Sequence, residues 1–81
     1  EVPPSRYMLV VKNDDRPGMI GKVGTILGEH GINISDMDVG RGPTGENALM
    51  VLSVATSIEA DVLGLLRAEP GILGAKAIDL D

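Results

Sequence analysis

Hydrophobic positions in this chain fall into short blocks whose spacing alternates between strand and helix periods. Arg6-Tyr7-Met8-Leu9-Val10-Val11-Lys12 is an apolar, partly β-branched run, closed by the polar stretch Asn13-Asp14-Asp15-Arg16-Pro17-Gly18, and it predicts a strand. Both faces of that run are apolar, so cover is expected on both sides of its sheet. From Met19 to His30 the period lengthens. Ile20, Val23 and Leu27 recur at helical spacing, with Met19, Ile26 and His30 beside them. Asp14 or Asp15 is expected to cap this helix, Pro17 to suit its first turn, and Gly31 to end it in a left-handed conformation. Gly21, Gly24 and Gly28 form a second stripe about 100° round from the apolar one. Each glycine costs a helix roughly 1 kcal/mol against alanine, so the stripe implies a surface that something must approach closely.

The remaining blocks repeat this order. Ile32 to Arg41 predicts a second strand whose alternation slips between Ile34 and Met37, as a bulge produces. Gly42-Pro43-Thr44-Gly45 is a turn, and Ala48-Leu49-Met50-Val51-Leu52-Ser53-Val54 is apolar enough to be a central strand. Thr56 to Glu69 predicts a second helix, with Thr56 and Glu59 at capping-box spacing and Ile58, Val62, Leu65 and Leu66 on the buried face. Pro70-Gly71 stops it, and Ile72 to Leu80 is a last, weaker strand. Glu29, Gly31 and Ile32 return as Glu69, Gly71 and Ile72, a faint internal repeat. The order βαββαβ predicts an α+β, ferredoxin-like sandwich: a four-stranded antiparallel sheet with both helices on one face.

Composition narrows the chemistry. An 81-residue chain holds one domain and buries little surface, so pairing with another copy or with a parent enzyme would help it. Seven scattered bases against twelve acids, and a single aromatic residue, Tyr7, leave neither a basic stripe nor a stacking platform for nucleic acid. The absence of cysteine excludes disulfides, thiolate nucleophiles and cysteine-type zinc sites, and suits a cytoplasmic protein. No apolar run approaches the ~20 residues of a membrane span. Residues 1–5, with the proline pair Pro3-Pro4, are read as a linker remnant, and 6–81 as the domain.

Two candidate chemistries fail on their context. Gly40-Arg41-Gly42-Pro43-Thr44-Gly45 fits the letters of a dinucleotide fingerprint, but a strand follows it where that motif needs a helix. His30, the only histidine, sits near a helix end beside Glu29, where a solvated or dipole-partner role accounts for it. No nucleophile–base pair with an orienting third group is visible, and no metal-ligand set. The chain is expected to have no catalytic activity of its own.

The stretch from Asn13 to Ile20 is the most informative. A strand ends, the chain turns, and the unpaired N–H groups of a new helix can hold a carboxylate. Asn13, Asp14 and Asp15 can hold an ammonium group or a small hydroxyl, and Asn33 is expected to offer another amide near the same end of the first helix. A zwitterionic amino acid presents those groups together. On the residues alone, a capped strand–helix turn followed by an early-strand asparagine is the more economical account.

With Asp15-Arg16-Pro17-Gly18, the helix after it, and Gly31-Ile32-Asn33-Ile34, the chain resembles the ACT domain family, which implies a regulatory βαββαβ module that binds an amino acid. Met37-Asp38-Val39-Gly40-Arg41, the block 48–54 and Pro70-Gly71-Ile72 are similar to the C-terminal tails of bacterial D-3-phosphoglycerate dehydrogenases; serine dehydratase tails look alike. The resemblance runs from about Arg6 to Leu80. It implies that two copies pair side by side into one eight-stranded sheet and that L-serine binds at the seam. It places effector contacts at Asn13, Asp15, Pro17, Gly18, Asn33 and Ile34. It also implies an NAD-dependent parent, with no cofactor in this domain, and feedback control of serine synthesis. A purely structural dimerisation module is the other role the family contains. Some serine-inhibited relatives carry histidine where Asn13 stands and asparagine where Asp15 stands. An aspartate at 15 attracts an ammonium group but repels a carboxylate.

Overall fold

A computed structural model describes residues 6–42 and 47–80. The chain runs β1 (Tyr7–Asp14), α1 (Met19–Glu29), β2 (Ile34–Arg41), β3 (Asn47–Val54), α2 (Ala60–Ala68) and β4 (Ile72–Asp79), the expected βαββαβ order. The sheet is four-stranded and antiparallel in the order β2-β3-β1-β4. The two strands that read as most apolar, β1 and β3, are its centre.

Alternation decides which face each strand buries. Leu9 and Val11 of β1 and Ala48, Met50, Leu52 and Val54 of β3 turn to one face, where they meet Met19, Val23 and Leu27 of α1 and Val62 and Leu66 of α2 in one core. Both helices therefore cover the same face. Met8 and Val10 lie on the other face, half-buried. The slip in β2 is a bulge: the register shifts between Ile34 and Asp36, and Ser35 Oγ donates to the Ser53 carbonyl at 3.1 Å. That one extra residue lets Ile34 and Met37 both face the core side.

The internal repeat has a structural counterpart. Gly31 and Gly71 follow the two helices with φ of 69° and 94°, and each turns the chain into the next strand. Three expectations about helix starts were wrong. Neither Asp14 nor Asp15 caps α1. The N-cap is Gly18, at φ 89° with no side-chain bond, which puts Pro17 ahead of the helix instead of in its first turn. Thr56 and Glu59 form no capping box: α2 begins at Ala60, and its N-cap, Glu59, makes no side-chain capping bond. The 42–45 turn lies largely outside the described residues. At its base Gly42 N donates to the Asn47 carbonyl at 2.8 Å, and Gly40 to Gly42, the described letters of the dinucleotide-like motif, stand where β2 pairs with β3 and not before a helix.

Candidate functional site

The stretch from Asn13 to Gly18 is a turn at the pole of the sheet where β1 and β2 end and β3 begins. Three contacts shape it. Asp14 N donates to the Gly71 carbonyl at 2.8 Å, tying it to the α2–β4 connection. Arg16 N donates back to the Asp14 carbonyl at 2.9 Å, making the reversal tight. Arg41 Nη1, on the last residue of β2, reaches Asp15 Oδ2 at 3.0 Å. This third contact carries the turn across the end of β3 to the edge strand. Arg41 carries no local signal, because a strand-end arginine has no pattern of its own. Only its registry opposite Ala48 places it at this pole.

Asp15, Pro17 and Gly18 are exposed and adjacent. Ahead of them, the N–H groups of Met19, Ile20 and Gly21 precede the first intrahelical bond, from Lys22 N to the Gly18 carbonyl at 3.0 Å, and no cap side chain reaches them. Those groups and the Asp15 carboxylate give the pole both a partial positive and a negative feature. Gly18 also opens onto a groove of about 450 Å³ running along α1 past Gly21, Lys22 and Thr25 towards Glu69.

Asn13 has a different place from the one expected. It is 2% exposed, its Nδ2 donates to the Asp14 carbonyl at 2.8 Å, and its Oδ1 is buried without a partner. It is the floor of the turn, and a ligand reaches it only if the turn moves.

Asn33 and Ile34 are not near this turn within one chain, and the expectation of an amide at the same helix end is corrected. Ile34 pairs with Val54, and Val54 with Tyr7, so the start of β2 lies at the opposite pole. Asn33 follows the C-terminal end of α1, and its carbonyl accepts from Ala55 N at 3.0 Å. An eight-residue strand spans roughly 25 Å, and that length separates the two groups. The sequence placed Asn33 by its nearness to Gly31 without tracking which way α1 runs.

β2 is an edge strand. Lys22 pairs with Glu69 at 3.4 Å, so that flank of α1 faces the end of α2. By the 100° step of a helix, Ile20 and Gly24 lie on the opposite flank, towards β2, with Gly21 and Gly28 near the crest. A Cβ built on Gly21, Gly24 or Gly28 meets nothing within 4 Å, so nothing in the described chain requires these glycines. Ile20 and Val39, on this same side, are 51% and 42% exposed.

The second pole holds His30, whose Nδ1 lies 2.9 Å from the Ile26 carbonyl, as a helix-end partner. A cavity of about 260 Å³ there is lined by Ile32, Thr56, Ser57 and Asp61 as well as His30. Among the described residues no three His, Asp or Glu side chains group closely enough to hold a metal ion, and no helix is long and apolar enough to cross a membrane.

Comparison with known proteins gives these features a setting. The ACT domain family model matches residues 7–73. The chain is 39% identical over 77 residues to a D-3-phosphoglycerate dehydrogenase of Bacillus subtilis, covering 95% of this chain and 15% of that one. It is 38% identical over 79 residues to the enzyme of the same name from Synechocystis, covering 98% and 14%. A homoserine dehydrogenase from Thiobacillus denitrificans shares the fold at a TM-score of 0.75 and 22% identity, over 93% of this chain and 17% of that one. The ACT domain of a GTP pyrophosphokinase from Chlorobium tepidum does so at 0.67 and 13%, over 89% and 95%. The chain thus spans about one seventh of the length of the dehydrogenases it matches.

Proposed function

Because this chain belongs to the ACT domain family, we propose that it is the effector-binding domain of a D-3-phosphoglycerate dehydrogenase, sensing L-serine at a seam between two copies. The catalytic and NAD-binding parts then lie outside these residues. Gly40 and Gly42, the described glycines of the dinucleotide-like letters, lead to β3, where that fingerprint needs a helix.

The observation that carries the reading is the division of the six candidate residues between opposite poles of a sheet with β2 at one edge. If β2 pairs antiparallel with β2 of a second copy, the end of one strand lies beside the start of the other. Asp15, Pro17 and Gly18 of one chain then face Asn33 and Ile34 of its partner. The same pairing brings α1 against α1 along the Ile20–Gly24 flank, where glycines let backbones approach. It also covers Ile20 and Val39, and satisfies the edge of β2.

In that seam, Asp15 takes the effector's ammonium group and the N–H groups at the start of α1 take its carboxylate. Asn33 of the partner supplies the amide for the side-chain hydroxyl. Asn13 acts from beneath, holding the Asp14 carbonyl and so the shape of the turn. Calorimetry with L-serine on the folded chain, with D-serine and glycine as controls and sedimentation in parallel, tests this. Stereoselective heat on a dimer is expected. A dimer that takes up no L-serine at millimolar concentration would leave only the assembly role.

A further inference from the structure

The effector reading leaves an electrostatic difficulty: Asp15 alone at the mouth of the site repels the carboxylate it is meant to admit. The structure supplies an answer in Arg41. We propose that Arg41 recognises the carboxylate of the incoming amino acid, and that the Asp15–Arg41 ion pair is a latch that a zwitterion opens by matching it charge for charge. This deepens the proposed function and rests on it.

Arg16, Lys22, Lys12 and Arg41 are the described cations near this pole. Arg16 lies 3.9 Å from Asp14, and Lys22 is engaged by Glu69 at 3.4 Å and the Pro70 carbonyl at 3.4 Å. Lys12 stands opposite Leu49, on the face of the sheet away from the helices. Arg41 alone among them is at the end of the edge strand, beside the proposed seam. Its side chain is 74% exposed, and its one ion pair among the described residues is to Asp15 at 3.0 Å. A guanidinium carries five donors in a planar fork suited to a carboxylate, and among the described residues only Nη1 is shown in an ion pair, with Asp15.

The pair is neutral as a whole, with its negative end on the turn and its positive end on β2. An α-amino acid has the same two charges at close spacing. When the ammonium group takes Asp15, the fork of Arg41 is released towards the ligand carboxylate, which the start of α1 also favours. No charge is left unpaired at any stage. Ion pairs this exposed contribute little to stability, so exchanging one partner for another is cheap. A simple amine satisfies Asp15 but leaves Arg41 without a partner. A simple carboxylate does the reverse.

The test is calorimetry on the chain and on Arg41→Gln, Arg41→Lys and Asp15→Asn, with L-serine and with L-serinamide, which keeps the ammonium and hydroxyl but lacks the carboxylate. Equal urea midpoints establish that the variants are folded. The wild-type chain is expected to prefer L-serine over L-serinamide by roughly tenfold or more. Arg41→Gln should lose most of that preference by weakening L-serine alone, Arg41→Lys should retain part of it, and Asp15→Asn should weaken both ligands. Two results overturn the proposal while sparing the effector reading: Arg41→Gln binding L-serine as the wild type does, or losing both ligands equally, as a mere tie between turn and strand would. A wild-type chain that binds neither ligand overturns both.

Discussion

Replacing Gly24 by leucine separates what α1 needs within one chain from what it needs in a pair. Gly24 lies inside α1 and is not among the glycines of positive φ, and its added Cβ meets nothing within 4 Å. Leucine is a strong helix former, so the exchange should stabilise a single chain by somewhat under 1 kcal/mol. Against a total of about 4–12 kcal/mol for a domain this size, that is a measurable rise in urea midpoint at unchanged slope. In the pair the same side chain enters the space where the partner's α1 approaches. Overpacking of that kind costs about 1–3 kcal/mol, which is about 5- to 150-fold in the dissociation constant. Because both copies carry the change, the upper part of that range is expected. Sedimentation equilibrium reads the second effect, and urea unfolding at concentrations below the dissociation constant reads the first. A Gly24→Leu chain that pairs as tightly as the wild type places the stripe in open water. One that unfolds more easily as a single chain means that the space around Gly24 is already filled.

Two other substitutions probe separate features. Gly71→Ala forces a side chain onto φ 94°, with its Cβ 2.6 Å from Arg16 Nη2 and 2.8 Å from the Sδ of buried Met19. The arginine can swing away but the methionine cannot do so freely, so a loss of about 2–4 kcal/mol is expected, and an unshifted urea midpoint refutes it. Asn33→Ala should weaken L-serine binding by about 1–3 kcal/mol, as for a lost hydrogen bond to a charged or buried group. Stability should barely change, since the bond Asn33 makes to Ala55 N uses its backbone carbonyl; unaltered heat of binding would show that the start of β2 is not part of the site.

How much of this was legible in the residues depended on the range of the interaction involved. The strands, helices and bulge followed from periodicity, since burial of Leu9, Val23, Leu52 and Leu66 is written directly into their spacing. The glycine stripe was also legible as a cost without a local return, and the open space at Gly24 agrees with that. The caps were not. Whether Asp15 or Thr56 caps a helix depends on backbone angles over a few residues. Gly18 at φ 89° settles one start, and an extended Glu59 the other. The candidate site was legible only for its local part, Asp15 to Gly18. Asn33 was misplaced because α1 carries the chain to the other pole before β2 begins. Arg41 was missed because its partner lies 26 positions earlier in the sequence, joined to it only by strand registry.

A site split between the poles of one sheet has a thermodynamic consequence that a self-contained pocket lacks. If each half of the ligand contacts comes from a different chain, L-serine binds the pair and scarcely the separated chains. Occupancy must then strengthen pairing by RT ln(1 + [L]/Kd), about 2.7 kcal/mol per site at a hundredfold excess over Kd. That is roughly a hundredfold per site, or about ten-thousandfold for an antiparallel pair that carries two such sites. The coupling is reciprocal, so Gly24→Leu, which is itself no proposed ligand contact, should also lower apparent serine affinity in proportion to its effect on pairing. Measuring the dimer dissociation constant with and without saturating L-serine, for both chains, closes the cycle. A dissociation constant that serine leaves unchanged would mean that each chain holds the ligand by itself, and the two poles would then have no reason to meet.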